Sequence, residues 1–260
     1  MTPRNIPLRA WVPSWRGGSC NNIAVMIPAR AVLLDLDGTL VDPAGGITGG
    51  ILHALLANGI AHPGDEHLDS LVGPPLASGL MTIPGMTEAL LPRVIADYRE
   101  QYAAHGMAAS RVYPGIEDLL TALRAAGRIL AVATSKPEPL ARRLLAAKGL
   151  DGYFDSIHGS APDEVSAPTR TSGKPHIVAA ALEATGQGPQ RTVMVGDRLH
   201  DIEGARVNGL PAIGVSWGFA ADGELEAAGA AAVVHSPAEL GRLLGAADAT
   251  TVDALRDGPA

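Results

Sequence analysis

Ala31-Val32-Leu33-Leu34-Asp35-Leu36-Asp37-Gly38-Thr39-Leu40 sets an apolar run directly against two aspartates and an Asp-Gly turn. Such a run is too short for a helix and has no polar face, so it reads as a strand buried on both sides of a sheet. Ile129–Ala133 and Thr192–Gly196 repeat the pattern, each bounded by polar turn residues, and Ala212–Ser216 and Ala231–His235 add two later runs. Helically spaced leucines separate them: Leu119, Leu120 and Leu123 within Gly115–Ala126, then Leu140, Leu144 and Leu145 within Pro137–Lys148. Lys174–Ala184 and Pro237–Leu244 read as further helices. Strand and helix in alternation predict an α/β fold with a doubly wound parallel sheet.

The alternation stops between Gly45 and Val112. Ile47–Ala57 and Thr87–His105 have helical patterns and no convincing strand is present, so residues 45–112 are expected to form a small all-helical domain inserted after the first strand. Residues 31–44 and 113–245 are then the sheet domain. Ordinary strand-to-helix connections run to about 2 to 6 residues, and far longer inserts tend to cover functional sites. Residues 1–30 carry four arginines, no acid and no apolar stretch of the secretory type. They are expected to be a disordered N-terminal extension, or residues ahead of a true start at Met26. Residues 246–260 are expected to form a frayed C-terminal tail.

The 260 residues are 47% apolar, enough to bury one or two cores. The net charge is −7, and beyond residue 30 it is −11, with 16 bases against 27 acids. No positive field is therefore present to hold a nucleic acid polymer or an anionic membrane surface. No apolar run approaches the roughly 18 to 20 residues of a membrane span. Cys20 is the single cysteine, which excludes an internal disulfide framework or a cysteine-based zinc cluster and suits a cytoplasmic protein.

In open parallel sheets, ligands bind beyond the carboxyl ends of the strands. Asp35 and Asp37 stand at the first of these ends, Thr134-Ser135-Lys136 at the second, and Gly196-Asp197 followed by Asp201 at the third. Each has a structural reading alone, as a turn or a helix cap. Four carboxylates in one crevice have no such reading, because they repel one another unless a cation lies among them. Carboxylate and carbonyl oxygens without His or Cys suit Mg²⁺, which commonly takes substrate phosphate as a further ligand. The backbone amides of Gly38 and Thr39 are expected to be free for phosphate oxygens.

Asp35-Leu-Asp37-Gly38-Thr39-Leu40, Ala133-Thr134-Ser135-Lys136, Lys174-Pro175 and Gly196-Asp197-Arg198-Leu199-His200-Asp201 resemble, in order, the four motifs of the haloacid dehalogenase superfamily. The resemblance covers residues 31 to 243 and is closest to the phosphoglycolate-phosphatase-like and 5′-nucleotidase-like group with a small helical cap. It implies a Mg²⁺-dependent phosphatase acting on a small phosphomonoester through an aspartyl phosphate. Asp35 would be the nucleophile and Asp37 the acid/base, a residue that marks the phosphohydrolase branch. Gly38, Thr134, Ser135 and Lys174 would bind the phosphoryl group. Mg²⁺ would be held by Asp35, Asp197, Asp201 and the backbone carbonyl of Asp37.

Only Lys136, Lys148 and Lys174 are lysines against seventeen arginines, and two of the three occupy motif positions. Asp42 is followed by Pro43 rather than the commoner Ser, and the Ser/Pro/Thr-rich loop before Lys174 is longer than usual, which bears on how Lys174 reaches the site. Leu76, Arg99 and Tyr102 in the insert are candidates for substrate specificity. The expected partner is a small-molecule phosphomonoester, with the protein a monomer or homodimer. Alternatives are a phosphomutase of the same superfamily, a protein-tyrosine phosphatase, or a non-enzymatic regulator that retains the fold.

Overall fold

The computed structural model describes residues 27–43, 45–161 and 173–246. Most of the expected N-terminal extension and C-terminal tail, and most of the loop before Lys174, lie outside the described residues. In chain order the strands are β1 (Ala31–Leu34), β2 (Val41–Asp42), β3 (Arg111–Val112), β4 (Ile129–Pro137), β5 (Ser156–Ser160), β6 (Thr192–Gly196), β7 (Ala212–Val215) and β8 (Ala232–Val234). Six of them form a parallel sheet in the order β5-β4-β1-β6-β7-β8.

β1 is central: Val32 registers with Leu130 on one side and with Val193 on the other. Its alternate side chains feed two apolar clusters, Val32 and Leu34 one, Leu33 the other. Both faces are thus covered, which is why the run shows no polar alternation. β5 lies on the edge and has one buried apolar residue, Ile157. That polar composition conceals it from the apolar pattern by which the other strands of the sheet are found.

The helices α1 (Gly46–Ala57), α2 (Asp65–Ser70), α3 (Leu76–Leu80), α4 (Leu91–Gln101) and α5 (Met107–Ala109) fall between β2 and β3. β2 and β3 pair antiparallel, Val41 with Val112, and close the base of the insert. Arg111–Val112 was expected to be strand-free; two residues are too few to show a period. The helix expected from Thr87 begins at Leu91, with Pro92 in its first turn, and passes through a π turn at Tyr102–Gly106 before α5.

In the sheet domain follow α6 (Ile116–Ala125), α7 (Glu138–Ala147), α8 (Lys174–Thr185), α9 (Leu199–Val207), α10 (Glu224–Ala228) and α11 (Pro237–Leu243). α6, α7 and α11 cover the Val32/Leu34 face, and α8, α9 and α10 the other. Ile51, Leu55, Val94 and Ile95 of the insert join the first cluster, so insert and sheet share one continuous apolar body. They also meet at Arg198, which precedes α9. Its Nε lies 2.9 Å from Glu224 Oε1, and its Nη1 donates to the Val72 carbonyl of the insert. Gly73 passes close by with φ +104°, and a Cβ there would lie 2.8 Å from Arg198 Cγ. Among the described residues no helix is long and apolar enough to cross a membrane.

Candidate active site

Parallel pairing brings the carboxyl ends of β1, β4 and β6 to one edge, and the amide of Asp35 extends the ladder to the Val195 carbonyl at 2.9 Å. Lys174 opens α8 so that its Nζ lies 2.5 Å from Asp35 Oδ1 and 2.5 Å from Asp201 Oδ1, with all three side chains buried. The length of the preceding loop therefore does not keep Lys174 from the site. Asp201 Oδ2 also accepts the Arg198 amide at 3.1 Å, closing the first turn of α9.

Asp197 does not cap that helix. Its Oδ2 accepts the Phe219 amide at 2.9 Å and its Oδ1 the Thr39 hydroxyl at 3.2 Å. Trp217 donates its indole N–H to the Thr39 carbonyl at 3.1 Å, so the loop after β7 ties the ends of β1 and β6 together.

Asp35, Asp197 and Asp201 each bring an oxygen within 4.8 Å of the others. Burial, reinforced by Asp201 and Asp37, pushes the Asp35 carboxyl up to about 7 in spite of Lys174. Burial, with Asp35 and Asp201, holds Asp197 well above the usual carboxylate range. Burial by itself would lower Lys174, but Asp201 and Asp35 outweigh it and keep the ammonium protonated. A cation among the three carboxylates relieves their repulsion. The donor set fits a hard divalent ion: all oxygen, buried, and given room by glycine. A Cβ at Gly38 or Gly218 would collide with the Asp197 carboxylate, and one at Gly196 with Asp201.

Gly38 requires a correction. Its amide is not free for a phosphate, because it donates to the Val41 carbonyl at 2.8 Å and closes the turn after β1. With φ +89° and Asp197 against its Cα, Gly38 supplies conformation and space in place of a donor. The Thr39 amide lies 3.4 Å from the Leu36 carbonyl.

Asp37 faces a second lysine. Lys136 Nζ lies 2.8 Å from Asp37 Oδ2 and 4.4 Å from the centroid of the Tyr102 ring. Burial would lower its pKa, but Asp37 more than reverses this. Asp37 Oδ1 has no hydrogen-bond partner among the described residues.

A cavity of about 60 Å³ opens over these groups. Its sheet side is Asp35, Asp37, Thr134, Ser135 and Lys136, and its insert side includes Ile47, Leu71, Pro74, Leu76, Tyr98 and Arg99. Ser135 Oγ is buried there without a partner among the described residues, and Thr134 Oγ1 accepts the Lys136 amide at 3.2 Å. Leu76 and Arg99 line the cavity. Tyr102 does not: it is 1% exposed and packs beneath Lys136, while Tyr98 one turn earlier lines the wall. Lys136 is the site residue whose contact sequence reasoning missed, although the scarcity of lysine singles it out. Phe219 acts through its backbone, which no residue type reveals.

The family profile described as Haloacid dehalogenase-like hydrolase matches residues 32–215. A 5′-nucleotidase of Pseudomonas aeruginosa is 40% identical over 196 residues, covering 75% of this chain and 86% of that protein. A phosphoglycolate phosphatase of Agrobacterium fabrum is 36% identical over 195 residues, 72% of this chain and 80% of its own. Among solved structures, a predicted phosphatase from Clostridium acetobutylicum superposes with a TM-score of 0.76 at 38% identity, over 82% of this chain and 97% of that one.

Proposed function

We propose that this chain, which belongs to the haloacid dehalogenase-like hydrolases, releases phosphate from a small phosphomonoester with Asp35 as nucleophile and Asp37 as acid/base. The chain is a phosphoric monoester hydrolase, like its relatives. The observation that carries the residue assignment is the Asp35 carboxylate, held at 2.5 Å by Lys174 within a set of three buried aspartates and lining the cavity that Asp37, Thr134 and Ser135 share.

Asp35, Asp197 and Asp201, with the backbone carbonyl of Asp37, would hold Mg²⁺. When bound, Mg²⁺ offsets the charge of the phosphoryl group and of the attacking carboxylate. Lys174 keeps one oxygen of Asp35 in place, so that the carboxylate is oriented when its oxygen attacks phosphorus. The P–O ester bond then breaks, and the leaving oxygen takes a proton from Asp37. In the second half, Asp37 takes a proton from water, whose oxygen attacks the aspartyl phosphate and frees phosphate and Asp35. Lys136 fixes Asp37 Oδ2, which leaves Oδ1 to move the proton. Thr134 and Ser135 donate to the phosphoryl oxygens.

Residues 45–112 act as a cap that selects the substrate and keeps bulk water from the intermediate. A cytoplasmic location fits the single cysteine. Assay of the purified protein with Mg²⁺ against p-nitrophenyl phosphate and a panel of phosphometabolites tests this reading. Release of phosphate by the wild type and its loss in a folded Asp35→Asn protein are expected. Turnover that survives Asp35→Asn would remove the nucleophile assignment.

A further inference from the structure

We infer that the leaving group of the substrate carries a second anion and that Arg99 receives it; this rests on the phosphatase reading above. Among the described residues two cations line the cavity, Lys136 and Arg99. Lys136 is balanced by Asp37 at 2.8 Å. Arg99 has no ion pair or hydrogen bond among the described residues, and its Nη2 is closed off from solvent without a partner. The cavity surface around it includes Ile47, Leu71, Leu76 and Leu140. A guanidinium nitrogen in such surroundings is costly when unpaired, and it binds an anion more strongly than it would in water.

The phosphoryl group that is transferred has its own donors at the sheet side, where Lys174 touches Asp35. The charge that Arg99 can meet is therefore at the other end of the substrate. The cavity, about 60 Å³, lies between the insert and the strand ends. A short leaving group that ends in a carboxylate or a second phosphate supplies that charge, whereas a nucleoside carries none. Because Arg99 stands on α4 of the insert and the nucleophile at the end of β1, the substrate itself bridges the two parts.

The test is a ratio measured within each protein. With Mg²⁺, kcat/KM is determined for phosphoglycolate, propanediol bisphosphate, ethylene glycol monophosphate and a nucleoside monophosphate, with p-nitrophenyl phosphate as reference. The wild type should favour at least one of the two anion-ended esters over ethylene glycol monophosphate by roughly 10- to 100-fold, the discrimination of a charge-assisted hydrogen bond. Which of the two is preferred identifies carboxylate or phosphate. Arg99→Met should collapse that ratio towards one, and Arg99→Lys should retain part of it. A general loss of fold or activity cancels from a ratio.

A wild-type ratio near one, preference for the nucleotide, or a ratio unchanged in Arg99→Met would overturn the inference. The last result would also follow if Arg99 bound the transferred phosphoryl group. If p-nitrophenyl phosphate and all the esters are left intact, the phosphatase reading fails. Calorimetric titration of phosphoglycolate and of propanediol bisphosphate into Asp35→Asn, with and without Arg99→Met, then decides the role of Arg99. Weaker binding of at least one anion on loss of the guanidinium supports the role, and equal binding of both refutes it.

Discussion

On the sheet side of the cavity the charged side chains are tied down: Asp35 by Lys174, Asp37 by Lys136, and behind them Asp201 by Lys174 and a main-chain amide. On the insert side the cavity meets Ile47, Leu71, Pro74 and Leu76, with Arg99 unpaired among the described residues. The first side stands at strand ends registered against two neighbours, and the second on short helices and the loop around Gly73. A fixed charged half suits a reaction that needs the same geometry whatever the ester. An apolar half on separate elements can change with the substrate without disturbing it.

The contrast breaks first at Asp35, the proposed nucleophile. Asp35→Asn should lower kcat for p-nitrophenyl phosphate on the order of 10⁴-fold or more, because the nearly isosteric amide cannot form the acyl phosphate. Circular dichroism of the variant should match the wild type. Excess EDTA should abolish turnover and Mg²⁺ restore it, whereas Ca²⁺, which prefers looser coordination, should restore little. Full turnover in chelator would remove the metal from the site. Asp37→Asn should cost about 10² to 10⁴ in rate, the range for a positioned acid/base.

On the other side the effects should be smaller and selective. Leu76→Ala should change the ranking of kcat/KM among phosphomonoesters by about tenfold, with far less effect on p-nitrophenyl phosphate. A uniform change across all esters would place Leu76 outside selection.

The smallest effect concerns stability. Asp35 is raised from 3.8 to about 7 in the folded protein, so between those values the native state binds more protons than the unfolded chain. Stability of the metal-free protein should therefore be greatest towards acid and fall as pH rises through that window. Mg²⁺ at a hundredfold excess over Kd should raise Tm at neutral pH by roughly 5 to 10 °C, as a ligand of the folded state alone. Calorimetry with and without EDTA reads both; a metal-free Tm that rises from pH 5 to 7 would contradict the crowding of these carboxylates.

The central strands and the helices around them were legible because burial on both faces leaves unbroken apolar runs, and helix packing leaves leucines three and four apart. β5 escaped because an edge strand with one buried apolar residue carries neither signal. The acids of the site were legible as polar residues at apolar strand ends, where topology must gather them. Tyr102 was a candidate because it shares the long helix of the insert with Arg99, yet it is buried with its ring under Lys136 and does not line the cavity.

By itself the sequence determined the central strands of the sheet, which strand ends carry acids, and where a helical segment interrupts the alternation, since hydrophobic period and turn chemistry are local properties of the chain. Only the tertiary structure decided what each polar atom touches. Lys136 reaches Asp37 across 99 positions, and Thr39 reaches Asp197 across 158. The amide of Gly38 goes to Val41 instead of a ligand, and Arg99 is left without a counter-charge among the described residues. Such partners are set by how elements distant in sequence pack and which donors the backbone has already used, and neither is encoded in the spacing of residue types.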